Sequence, residues 1–275
     1  MALGGGTWVV QNKLLPGSYV NFKSQPGLTM QFADRGYAAI ALRLDWGEEG
    51  EIRTITNEDL QTRSYQTLGY DFTSPALKPV REILSGARVL HLYNLASGGT
   101  RAEAVIAELL TVQAAHPGDA GNRISVSVES SVDQDGAYVI TTYMDGMKMD
   151  EQTVYTAEDF LPNGFITLSG TLSVETLTVR TYLENGTTGT EVAGAHADFL
   201  SKIQGEYFND IGYAGTDDEV RRLYEAFGKR MVDEVGYYVQ TTVYKSTENH
   251  IGINSVEFEA KNDDNEAAGV YWYLG

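Results

Sequence analysis

Between Arg101 and Ala195 the chain changes texture. Short alternating segments separated by turn residues replace the mixture of strand and helix patterns found on either side. The runs "RISVSVES" and "AYVITTYM" flank "VDQDG", and a second Asp-Gly pair at Asp145-Gly146 precedes "MKMDEQTV", so at least three strands are joined by hairpins. The stretch "AEAVIAELLTVQAA" fits two periods: its alanines and glutamates favour helix, while "LLTVQ" favours strand. It is read as strand. A β-rich block of this length between two stretches of different character has to be an insertion or a domain of its own.

The flanks have an alternating α/β texture. "GYAAIALRLDW", Gly36 to Trp46, places Ile40, Leu42, Leu44 and Trp46 on one face of a period-2 pattern. A "GEEGE" turn and a short strand from Ile52 to Thr56 follow. Asn57 is a plausible N-cap, with Glu58 and Asp59 in the first turn and Gly69 closing the helix. Ser74-Pro75 opens another helix that ends by Gly86, and Arg88 to Leu95 returns as a strand. Past "ENGTTG", residues 195 to 204 read as helix and Glu206 to Tyr213 as strand. "TDDEVRRLYEAFGKRMVDEVG" reads as a helix with a Thr216/Glu219 capping box, apolar positions Val220, Leu223, Phe227 and Met231, and an end near Gly236. "YYVQTTVY" and "HIGINSVEFEA" supply two more strands.

The expected fold is therefore mixed α/β. Residues 23–100 and 196–275 form a discontinuous α/β domain, residues 101–195 a β-rich insertion domain, and residues 1–22 an extended N-terminal arm. Flexible boundaries at "ASGGT" and "ENGTTG" mark the insertion as separable. The arm, "MALGGGTWVVQNKLLPGSYVNF", carries one lysine, Lys13, with Lys23 directly after it, and no acid in a chain of net charge −18. Gly4, Gly5 and Gly6 rule out the continuous apolar block of a secretory signal. A loose tail would suit its glycines, but Thr7-Trp8-Val9-Val10 is strand-prone, apolar and in need of a partner. At the other end, "AAGVYWYLG" is an apolar element with no cap, charge or turn to finish it, as if the chain were cut or the protein continued.

With 275 residues, 42% hydrophobic and 21% charged, there is enough chain for one large or two ordinary cores. No stretch approaches the roughly 18 consecutive apolar residues of a membrane helix. The absence of cysteine excludes disulfides, thiolate metal sites and thiol nucleophiles, and fits synthesis in the cytoplasm. The net charge argues against nucleic acid as a partner.

Signals for chemistry are weak. His91, His116, His196 and His250 are scattered, without H-x3-H or HExxH spacing. "SVDQDG" suggests a calcium loop, but Ser131 stands at the first ligand position and Thr142 where a bidentate glutamate belongs, so it is read as a hairpin turn. "GGGTW", "ASGGT" and "NGTTG" lack the lysine and the strand–helix setting of phosphate loops, and no GxSxG elbow occurs. Asp217-Asp218 suits the first turn of a helix and Asp263-Asp264 a polar loop. No catalytic, cofactor or metal residue is expected. Seventeen tyrosines and three tryptophans point instead to contact surface.

"MALGGGTW", "QNKLLPGSYVNF", "DRGYAAIALRLDWG", "TNED" and "LGYD" resemble the opening of contractile tail sheath proteins of bacteriophages, phage-derived bacteriocins and related injection machines. "AAHPGDAGNRISVSVE" is similar to that family's A-x-x-P-G-x-x-G-N motif, and "TDDEVRRLYEAFGKRMVDEVGYYVQTTVY" fits as well. The resemblance is specific over residues 1–115 and 196–260 and diffuse between them. Sheath proteins of this type continue past an element like "AAGVYWYLG" into a C-terminal part, so this chain is expected to lack that part.

The resemblance implies a structural protein without cofactor or enzyme activity, stacked as hexameric rings in a helical sheath around an inner tail tube, with baseplate and terminator proteins at its ends. It implies a virion tail or phage-like particle assembled in the host bacterial cytoplasm, and neither nucleic-acid binding nor membrane insertion. It also assigns the arm a role: Thr7, Trp8, Val9, Val10 and Gln11 would add a strand to a neighbouring subunit, with Gly4, Gly5 and Gly6 as slack. Two other classes fit the residues less well. One is a carbohydrate-active or other hydrolase with carboxylates on the insertion; the other is an adhesin whose insertion binds a receptor.

Overall fold

The computed structural model describes residues 36–258, 261 and 266–275. Its organising element is β1 (Tyr37–Leu42), buried on both faces: Ala38, Ile40 and Leu42 point into one apolar cluster, Ala39 and Ala41 into another. That is the pattern of a central strand in a sheet covered on both sides. β2 (Ile52–Thr56) leads into α1 (Asn57–Thr62), α2 (Ser64–Leu68) and α3 (Lys78–Leu84), and β3 (Val89–Asn94) follows. The N-cap of α1 is Thr56, one residue before the expected Asn57. Its hydroxyl accepts from the Asp59 N–H, and the Asp59 carboxylate accepts from the Thr56 N–H, a reciprocal cap that Asn57 cannot form from inside the first turn. Gly69, at φ 75°, closes α2 as its left-handed C-cap.

The next strands are β4 (Ala96–Ser97), β5 (Arg101–Ile106), β6 (Leu110–Pro117), β7 (Ile124–Ser130), β8 (Tyr138–Met144), β9 (Met147–Val154), β10 (Ile166–Gly170), β11 (Thr178–Tyr182) and β12 (Thr190–Glu191). They form two antiparallel sheets, ordered β10-β6-β5 and β11-β7-β8-β9. Alternate residues such as Val112, Ala114, Val126, Val128, Ile140 and Ile166 fill the core between them, making a β-sandwich. The ambiguous stretch "AEAVIAELLTVQAA" is two strands rather than one, turned at Ala107 and Glu108, which take φ 53° and 57°. β4 and β12 pair antiparallel and form a two-stranded stalk where the chain passes into the sandwich and out of it.

The chain then returns through α4 (Ala195–Ile203), β13 (Asp210–Tyr213), α5 (Asp218–Arg230), β14 (Gln240–Tyr244), β15 (Ile253–Val256) and α6 (Ala268–Leu274). The six-stranded sheet runs β15-β14-β13-β1-β3-β2, parallel except for the edge strand β2. One face is covered by α1, α2, α3 and α6 through residues such as Leu60, Ile83 and Tyr271, the other by α4 and α5 through Phe199, Ile203 and Tyr224. α5 is capped by Asp217, whose carboxylate accepts from the Glu219 and Val220 N–H groups at 2.7 and 3.0 Å, and not by the expected Thr216. It continues as a π-turn over Met231–Val235 and stops at Gly236.

Candidate assembly interface

The residues most specific in the sequence meet at the root of the sandwich. Beyond Leu42 the chain leaves the sheet, and Trp46, supplied by the α/β layer, is fully buried in the apolar core of the sandwich. Its indole Nε1 donates to the Gln66 carbonyl at 2.9 Å, and its ring stands edge-on to His116 with centroids 5.1 Å apart. A Cβ at Gly69 would lie 2.7 Å from that of Trp46, so this glycine gives the tryptophan its space as well as ending α2.

Three residues of the "PGDAGN" segment have tasks here. Gly118, at φ 128°, runs so close to the Asp45 backbone that a Cβ would stand 1.8 Å from the Asp45 carbonyl oxygen. Gly121 packs against Ala102, where a Cβ would lie 2.9 Å from its methyl group. Asn122 is bound twice to the departing chain: its Nδ2 donates to the Gly186 carbonyl and its Oδ1 accepts from the Gly186 N–H, both at 2.8 Å. The Arg123 guanidinium lies 4.0 Å over the Tyr70 ring and donates to the Gly69 carbonyl at 2.7 Å and to Asp145 at 2.8 Å. From the α/β side, Glu49 accepts from the Gly98 and Gly99 N–H groups, and Arg43 Nε donates to the Gly189 carbonyl. The glycines of "ASGGT" and "ENGTTG" are thus held parts of a joint.

Burial raises the Asp45 carboxyl above its ordinary range, against the opposing hydrogen bond from Tyr70 and the nearby Arg123. The Tyr70 phenol is pushed up by burial and by Asp45. Burial, with Arg53 next, lowers the His116 imidazole, while Glu48 at 3.1 Å opposes the fall.

The other histidines and several acids of the sandwich are held in local contacts. His91 bonds Thr54 Oγ1 and the Tyr207 carbonyl, His196 bonds Tyr224 and pairs with Glu191, and His250 pairs with Asp233. Asp217 is a helix cap, and Asp263-Asp264 lies outside the described residues. On the sandwich, Asp150 accepts from Gln152 and Asn163, Glu151 from Lys148 and Thr141, and Asp159 from Thr156. "SVDQDG" is the connection between β7 and β8. Among the described residues no three histidine or acidic side chains gather as a metal site, and no helix is long and apolar enough to cross a membrane. The arm residues Thr7, Trp8, Val9, Val10 and Gln11 and the glycines Gly4, Gly5 and Gly6 also lie outside the described residues.

What the described surface offers is contact. Trp272 and Tyr273 of α6 are 65% and 58% exposed beside Phe258, and Val132 at the β7–β8 tip is 99% exposed. A groove of about 290 Å³ runs between α4 and α5.

Comparison with known proteins accounts for this architecture. Residues 35–95 match the N-terminal region of domain III of the tail sheath protein Gp18, and residues 97–190 match the phage tail sheath protein beta-sandwich domain. This chain belongs to the tail sheath protein family. The sheath tail protein of Desulfitobacterium hafniense superposes with a TM-score of 0.76 at 31% identity, over 94% of this chain and 61% of that one. The sheath tail protein Lin1278 of Listeria innocua also gives 0.76, at 26% identity, over 87% and 55%. The phage-like element PBSX protein XkdK of Bacillus subtilis is 30% identical over 92% of this chain and 58% of its own length. The chain thus spans a little under three fifths of that curated relative. The family is structural and non-enzymatic, a component of phage and phage-like element tails.

Proposed function

We propose that this chain is the body of a subunit that stacks in six-membered rings around an inner tail tube and contracts to drive the tube through a target envelope. The observation that carries the reading is the pairing of a sheath α/β layer with a sheath β-sandwich, in one chain and in the arrangement of solved sheath proteins. Contraction is then a shift between two packings of one assembly, with no nucleotide required. Tube, baseplate and terminator proteins are the partners of the complete particle.

Neighbouring subunits are linked by the N-terminal arm, in which Thr7 to Gln11 add a strand to the next copy and Gly4 to Gly6 give slack. Proline at Val9 or at Val10 tests this, since it deletes one ladder hydrogen bond, worth about 0.5–1.5 kcal/mol, in every subunit. An arm paired along one edge is hurt at one position and nearly indifferent at the other. The readout is electron microscopy of the complete protein expressed alone. Tubes or rings are expected for the parent, with impaired assembly and an unchanged melting temperature for at least one variant. A parent that forms neither tubes nor rings sinks the sheath reading. Two variants that both assemble like the parent sink the arm.

A further inference from the structure

The tip of the β7–β8 hairpin is an unusual surface element. Val132 is 99% exposed, and the acids Asp133 and Asp135 beside it make no ion pair among the described residues. The tip is nonetheless an ordered turn: Gln134 N–H donates to Ser131 Oγ, Ala137 N–H to the Gln134 carbonyl, and Ser131 N–H to the Ala137 carbonyl. An isolated valine held out by an ordered turn and flanked by two carboxylates has the form of an anchor with charged guides.

A complementary surface lies on the α/β layer. The groove between α4 and α5 has an apolar floor of Leu200, Leu223, Ala226 and Phe227, and Arg230 stands at its border. The Arg230 guanidinium lies over the Phe227 ring at 5.6 Å and pairs with no described carboxylate. At about 290 Å³ the groove takes a few side-chain atoms rather than a helix. Among the described residues neither surface is covered, so each is available to a second copy.

We propose that the Val132 tip of one copy docks in the α4–α5 groove of a second copy, with Val132 against Leu223 and Phe227 and with Asp133 or Asp135 facing Arg230. Sign and polarity match: an apolar tip flanked by two acids meets an apolar floor bordered by one arginine, Arg230. The two surfaces are different patches of the same molecule, so the contact is head-to-tail, and it propagates into a ring or a filament instead of closing as a two-fold dimer. This rests on the sheath reading for its biological setting, but not for its test.

The chain contains no cysteine, which makes engineered disulfides unambiguous. Both positions are at the surface, so Val132→Cys and Leu223→Cys leave the core intact; far-UV circular dichroism checks this. Oxidising an equal mixture of the two single variants at high protein concentration is expected to give a cross-linked dimer above the level of either variant alone. The double variant is expected to give a ladder of dimers, trimers and higher species. Arg230→Glu should slow cross-linking about tenfold, and Asp133→Arg together with Asp135→Arg in the partner should restore it. A mixture no better than the single variants overturns the contact. So does Val132→Cys dimerising alone as readily as the mixture, or a rate indifferent to the charge reversals. Tubes of the complete protein without this cross-link would remove the contact and leave the sheath reading standing.

Discussion

Trp46→Ala tests whether the α/β layer and the sandwich are joined as described. The residue comes from the loop after β1, yet it is fully buried among sandwich residues, and its indole N–H holds the Gln66 carbonyl. Burying a tryptophan removes about 150–250 Å² from water, which at about 25 cal/mol per Å² corresponds to about 4–6 kcal/mol. Measured truncations of this kind cost about 3–5 kcal/mol. Hydrogen exchange read by mass spectrometry separates the two halves. Amides of Ile124–Ser130 in the sandwich should lose about 3–5 kcal/mol of opening free energy, while those of Val89–Asn94 lose less than about 1 kcal/mol. Trp46→Phe keeps most of the apolar volume and strands one carbonyl, so about 1–3 kcal/mol should disappear at the sandwich alone. A sandwich loss under about 1 kcal/mol would refute the burial argument, and equal losses in both halves would make Trp46 an ordinary core residue of the α/β layer.

Asn122→Ala removes both bonds to Gly186 and should lower stability by about 1–3 kcal/mol in urea titration, with the m-value unchanged. Gly118→Ala places a methyl group against the Asp45 carbonyl at a backbone angle that alanine avoids, and should cost more than Asn122→Ala in the same titration. Replacing residues 97–190 by a short Gly/Ser linker uncovers Trp46, so the excised protein should stay soluble only when Trp46 is also made polar; size-exclusion chromatography of the two versions decides it. Asp210, desolvated beside β14 and holding Thr242 Oγ1 at 2.8 Å, has its carboxyl raised to about 7. Because the folded state then holds a proton that the unfolded state has released, this group's contribution to stability falls as pH rises from about 4 to about 7. Asp210→Asn should flatten that part of the melting-temperature profile, and an unaltered profile would refute the assignment.

Legibility varied with how local the cause was. Strands such as Val89–Asn94 and hairpins with Asp-Gly turns followed from alternation and turn chemistry, which are written in adjacent residues. The caps of α1 and α5 were each misplaced by one residue, since Thr56 and Asn57, like Thr216 and Asp217, are all competent caps and the backbone chooses between them. The stretch "AEAVIAELLTVQAA" is strand as expected, but its turn at Ala107 and Glu108 has no glycine or asparagine to announce its positive φ. The strand expected from Glu206 begins only at Asp210, where pairing with Ala38 starts. Trp46 was the hardest. Period 2 places it with Ile40 and Leu42, but β1 ends at Leu42 and the chain bends, sending Trp46 into a different core. The signal was present in the similarity of "PGDAGN" to a family motif, but the partners of those residues, Asp45 and Gly186, lie 73 and 64 positions away in the chain.

The sheet order has a consequence for biosynthesis. β1 is flanked by β3 on one side and β13 on the other, with Ala38 opposite Asp210, so one edge of the central strand cannot be closed until the ribosome has made the far side of the sandwich. The 115 residues between Asn94 and Asp210 take about 6–23 s to translate at about 5–20 residues per second. The sandwich draws its own strands from within that interval and can condense while the nascent half-sheet still presents β1 as an unpaired apolar edge. Each nascent chain therefore passes through a stage in which its most adhesive backbone is uncovered. On a polysome, where neighbouring copies emerge side by side, the order of synthesis postpones the finished sheet, and with it mature docking surfaces, until the last strands arrive.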